Sequence, residues 1–79
     1  MHICVMTLNQ IVGDNIRGYR NRQGWTQEKL AVRTGMHYNF IGCVERGEKA
    51  ISTEKLNKIA KALKTHISLF FIESSYIDK

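Results

Sequence analysis

The chain has no proline, and it also lacks any low-complexity segment, internal repeat or linker-like stretch. Nothing in it marks an internal boundary. No apolar run approaches the ~18 residues that cross a bilayer, which excludes a membrane span. There are two cysteines, Cys4 and Cys43, which provide neither a disulfide framework nor a metal-ligand spacing. The N-terminal "MHICVM" lacks a basic start, a sufficient apolar run and a small-residue cleavage site, so no secretory signal is expected. A cytoplasmic protein with reduced thiols is the plain reading. Acidic residues are scarce too. Seven Asp and Glu against twelve Lys and Arg leave a net charge of +5, with a pI near 9.5. That excess favours a polyanionic partner, nucleic acid before membrane surface, although a scattered excess would serve only solubility.

What remains is 79 residues of ordinary globular composition. They make one domain, residues 1–79, with a small core at the lower edge of independent stability, to which dimerisation would add burial. Thr7 and Gln10 have capping-box spacing. Leu8, Ile11, Val12, Ile16 and Tyr19 then recur at helical spacing. Gly24 ends this helix 1, about residues 7–22, because glycine enters the left-handed C-terminal conformation without a Cβ penalty. Its Arg17, Asn21 and Arg22 read as a solvated face. Thr26 caps helix 2, Glu28 suits its first turn, and Leu30 and Ala31 face inward up to Gly35. Helix 3 runs from about Tyr38 to Arg46, with Phe40, Ile41 and Val44 inward. Ser52 caps helix 4, whose stripe is Leu56, Ile59, Ala60 and Leu63. The last segment, "HISLFFIE" at residues 66–73, holds too many large apolar residues to face one small core, and it reads as a fifth helix.

Two short helices joined by a glycine turn, at about residues 26–46, form a helix-turn-helix pattern. The segments "IRGYRNRQGWTQEKLA", "TGMHYNFIGCVERGEKAIS" and "LNKIAKAL" resemble the Cro and phage-repressor, or Xre-like, family. The ordered set Thr26-Gln27-Glu28, Leu30-Ala31, Gly35 and Val44-Glu45-Arg46-Gly47 carries the resemblance. It implies an all-α fold: a compact five-helix bundle with a lambda-repressor-like DNA-binding domain. The length, "FIGCVERGEKAIS" and "ISLFFIE" look most like the controller proteins of restriction–modification systems. Those are homodimeric regulators that dimerise through a fifth helix.

The resemblance also implies roles for residues. Tyr38, Asn39, Gly42 and Cys43 fall where relatives read bases. An Asn amide both donates to and accepts from an adenine edge. The Tyr38 hydroxyl suits a base or phosphate, though packing against helix 2 is the blander reading. The small Gly42 and Cys43 favour close approach over hydrogen bonding, leaving part of the specificity to DNA shape. A redox role for Cys43 would need a depressed thiol pKa, and an inert thiol is the simpler reading. Gln27, Arg46, Lys49 and, less securely, Arg22 are phosphate contacts, which position without specifying. Arg20 and Glu45 are expected to form a structural salt bridge. Ile67, Leu69, Phe70 and Ile72 form the expected dimer interface, while Phe71 closes the monomer core. Lys64 stands where relatives often place a C-capping glycine.

No nucleophile–base pair, carboxylate cluster or metal site is evident. His2, His37 and His66 are scattered, two of them where helix caps belong. An enzyme is therefore not expected, nor a cofactor or metal. The expected partners are a double-stranded DNA operator and a second copy of the chain. RNA polymerase is a further candidate, reached through the acidic Glu28 and Glu48, which otherwise read as helix-end and solvent charges. A phage-type repressor, an antitoxin and a protein-interaction module are the alternatives, and the neighbouring genes discriminate among them.

Overall fold

The computed structural model describes residues 6–73. Cys4, His2 and the rest of the N-terminal segment lie outside the described residues. The elements run α1 (Leu8–Arg22), α2 (Gln27–Thr34), α3 (Tyr38–Glu45), α4 (Thr53–Ala62) and a 3₁₀ turn (Ile67–Phe71). The described residues are thus all-helical, with four α-helices rather than the five expected.

Each helix begins on a side chain that accepts from its first turn. Thr7 and Gln10 form the capping box: Gln10 N–H donates to Thr7 Oγ1 at 3.2 Å and Thr7 N–H to Gln10 Oε1 at 2.9 Å. Thr26 and Ser52 accept from Lys29 and Lys55 N–H. His37 caps α3 through its ring, Nδ1 accepting from Asn39 N–H at 3.0 Å. The helices end on left-handed residues: Gly24, Gly35, Gly47 and Lys64. At Gly35 the turn must be tight, and Met36 N–H reaches back to Ala31 C=O. Lys64 adopts φ 56° in the same role. Its hydrogen bonds are those of a Schellman turn, Lys64 N–H to Lys61 C=O and Thr65 N–H to Ala60 C=O.

The core takes one face from each element. Ile16 of α1, Leu30 of α2, Ile41 and Val44 of α3, Ile59 of α4 and Phe70 of the 3₁₀ turn are essentially inaccessible. α1 and α3 meet at backbone distance. A Cβ on Gly13 would lie 2.1 Å from the Val44 carbonyl oxygen.

The C-terminal segment corrects two expectations. It is a 3₁₀ turn whose end is tied to α1. Asn15 Nδ2 on α1 donates to Phe70 C=O at 2.8 Å and to Ile72 C=O at 2.7 Å. Leu69 N–H closes a three-residue turn onto His66 C=O, and Ile72 is already extended. The two phenylalanines also exchange places. Phe70 is fully buried, with its ring edge-on to Tyr19 at 5.9 Å, whereas Phe71 is 46% exposed. Phe70 therefore offers no surface to a second copy. Ile67 is half-buried and packs against the core. Of the expected interface, Leu69 and Ile72 are exposed.

Candidate nucleic-acid interface

The site is built on a buried ion pair. Arg20 of α1 and Glu45 at the end of α3 meet in two-point geometry, Nε–Oε2 2.6 Å and Nη2–Oε1 2.9 Å. The Glu45 side chain is wholly inaccessible and that of Arg20 nearly so. Arg20 Nη1 also donates to Trp25 C=O, and Gln27 Nε2 donates to Glu45 Oε1 at 3.0 Å. Arg17 adds a further bond, Nη2 to Glu45 C=O at 3.1 Å, so it is more than the solvated residue its helical position suggested. One carboxylate thus joins α1, the start of α2 and the end of α3. It fixes the orientation of a helix only eight residues long, too short to be stable alone.

That anchoring leaves the first turn of α3 facing outward. Tyr38 and Asn39 are both exposed. Tyr38 stacks on the capping His37 ring, with centroids 4.9 Å apart and planes 20° apart. Cys43 is one helical turn beyond Asn39, on the same face. Gly42 is different. It is buried, and a Cβ there would lie 3.2 Å from Arg46 Nη1 and 3.3 Å from Gln27 Oε1. Its face of α3 is roofed by those two side chains. Gly42 provides room for the roof.

The four phosphate candidates are spread out. Gln27 stands at the start of α2, its amide nitrogen committed to Glu45. Arg46 caps the end of α3 and pairs with Glu48. The pair holds the Arg46 guanidinium above its ordinary pKa and Glu48 below the usual carboxylate range, chiefly through the hydrogen bonds between them, which for Glu48 outweigh the opposing desolvation. Lys49 is exposed in the following loop, beside a groove lined by Leu8, Val12 and Phe71. Arg22 lies elsewhere. Its guanidinium stacks 4.7 Å over the Tyr19 ring, and it lines a depression with Leu69 and Ile72 that includes no α3 residue. Sequence reasoning missed Asn15, Arg17 and Gly13. Long-range partners carry no periodic signal, although a glycine within a helical run does hint at close approach.

A short helix presented across a glycine turn from another, with its first turn exposed, defines a helix-turn-helix domain. The helix-turn-helix family (HTH_3) matches residues 16–70, and the chain belongs to that family. It is 42% identical over 65 residues to the control protein C.SmaI of Serratia marcescens, covering 82% of this chain and 77% of that protein. The crystal structure of the restriction-modification controller protein C.AhdI from Aeromonas hydrophila superposes with a TM-score of 0.77 at 32% identity, covering 80% of this chain and 96% of that one. A third relative in structure is the controller protein C.Esp1396I, solved as a tetramer in complex with its natural 35 base-pair operator. Its TM-score is 0.75 at 27% identity, over 94% of this chain and 95% of that one.

Proposed function

We propose that the chain is a sequence-specific DNA-binding transcription regulator, a homodimer that acts in the cytoplasm and controls a restriction–modification operon including its own gene. The observation that carries this reading is the outward-facing first turn of α3, held by the buried Glu45 hub in a chain whose relatives include controller proteins. In this reading α3 enters the major groove. Asn39 donates to and accepts from an adenine edge. Tyr38, preoriented by its stack on His37, reaches a base or phosphate with its hydroxyl, and the small Cys43 lets the groove floor come close. Gln27, Arg46 and Lys49 hold phosphates and set the register. Arg22 is the weakest of the phosphate assignments, because it sits beside Leu69. The exposed Glu28 is the acidic position we assign to RNA polymerase.

The dimer contact is assigned to Leu69 and Ile72. They are 36% and 41% exposed, and with Phe71 they concentrate large apolar side chains in one short segment. A symmetric contact buries such a patch against its own copy. Footprinting of DNA upstream of the gene tests both parts together. The wild type is expected to protect two half-sites about one helical turn, roughly 34 Å, apart. Leu69→Glu is expected to sediment as a folded monomer and to lose the paired footprint at the same concentration. Absence of any footprint by the wild type would overturn the assignment, and a dimeric Leu69→Glu with full protection would overturn the interface.

A further inference from the structure

The Arg46 guanidinium is already occupied. Its Nε lies 2.9 Å from Glu48 Oε2 and its Nη2 3.2 Å from Glu48 Oε1. This is the two-point geometry in which an arginine takes a carboxylate or a phosphate. Residues two apart do not face each other on a helix. Here the turn brings them together: Gly47 at φ 77° reverses the chain, and Glu48 N–H returns to Cys43 C=O at 2.9 Å. On the other side, Arg46 Nη2 rests 3.6 Å from Cys43 Sγ, and Nη1 roofs Gly42. The guanidinium is thereby held over the second turn of α3, on the face that carries Asn39 and Cys43. Both members of the pair are about half exposed, so an incoming anion can reach the fork from solvent.

We propose that Glu48 is a built-in stand-in for a DNA phosphate, occupying the Arg46 fork in the free protein and exchanged for a backbone phosphate on binding. The inference rests on the DNA-binding reading above and adds a component to it. An exposed pair of this kind is weakly held, so the polyelectrolyte field of a duplex suffices to displace it. Every complex, cognate or not, must first break the same Arg46–Glu48 pair. Glu48 accordingly sets the overall affinity and leaves sequence preference unchanged, because a phosphate contact carries no base information.

The test is a double-mutant cycle read by DNA affinity on an operator duplex and on a random duplex. Glu48→Gln is expected to tighten binding to both by about three- to tenfold per dimer, the scale of two exposed ion pairs released. In an Arg46→Gln background the same change is expected to give less than about a twofold gain, since no fork remains to free. An equal gain in both backgrounds would reduce Glu48 to a general negative charge and overturn the proposal. So would unchanged or weaker binding by Glu48→Gln. Wild-type protein that binds neither duplex would overturn the DNA-binding reading along with it, whereas wild-type binding without a Glu48 effect removes the stand-in alone. Thermal unfolding of Glu48→Gln is expected to match wild type, since the pair lies at the surface.

Discussion

Glu45→Ala is expected to cost about 3–5 kcal/mol of folding stability, the loss seen when one partner of a buried ion pair is removed. The expectation follows from what the change leaves behind. Arg20 would keep its bond to Trp25 C=O but lose both carboxylate oxygens at a site where its side chain is 11% exposed. Gln27 would lose its tether as well. Small domains hold only about 5–15 kcal/mol in total, so the loss takes a large share. The same logic predicts a rescue. Arg20→Met combined with Glu45→Leu removes both members of the buried pair together and is expected to recover part of the stability, since apolar pairs often match buried ion pairs, although Arg17 and Gln27 still lose the carboxylate and Trp25 C=O its donor. Urea unfolding at matched protein concentration measures both. A single variant within about 0.5 kcal/mol of wild type, the range of ordinary surface substitutions, would contradict the hub.

Gly13→Ala is expected to destabilise by about 1–3 kcal/mol even after alanine's helical advantage is counted. The added Cβ would meet only backbone: the Val44 carbonyl oxygen at 2.1 Å and the Glu45 carbonyl oxygen and carbon at 2.8 and 2.9 Å. No side chain can rotate away, so α3 must move off α1. Operator affinity is expected to fall with stability, because α3 is the displaced element. Gly18 on the same helix is the control. Nothing lies within 4 Å of a Cβ there, so Gly18→Ala is expected to stabilise by up to about 1 kcal/mol. Thermal denaturation of the two variants should show shifts of opposite sign. Shifts of the same sign would mean that the α1–α3 contact is looser than described.

The local signals in the sequence located most of the fold. Thr7, Thr26 and Ser52 cap the helices they were expected to cap, and Gly24 and Gly35 adopt left-handed conformations at the ends of the helices they were expected to stop. These signals work because capping and left-handed turns involve neighbours a few residues apart. The tail was misread because its conformation is set by Asn15, 55 residues before the Phe70 carbonyl it holds. That bond ties a 3₁₀ turn, in place of a fifth helix, to α1, and Phe70 rather than Phe71 faces inward. A small residue on a short helix, such as Gly42, looks like open surface. Only the fold shows that Gln27 and Arg46 cover it. Arg17 was taken for a solvated residue because its partner Glu45, met at both the carbonyl and the carboxylate, is 28 residues away.

Titration of wild type and Asn39→Ala against an operator duplex and a random duplex, at more than one salt concentration, tests the central claim most directly. The account predicts that wild-type affinity falls steeply as salt rises on both duplexes, since phosphate contacts release counterions. It predicts that Asn39→Ala loses about 1–3 kcal/mol on the operator, the value of a bidentate base contact, and almost nothing on random DNA. Equal losses on the two duplexes, or a salt-independent affinity, would contradict it.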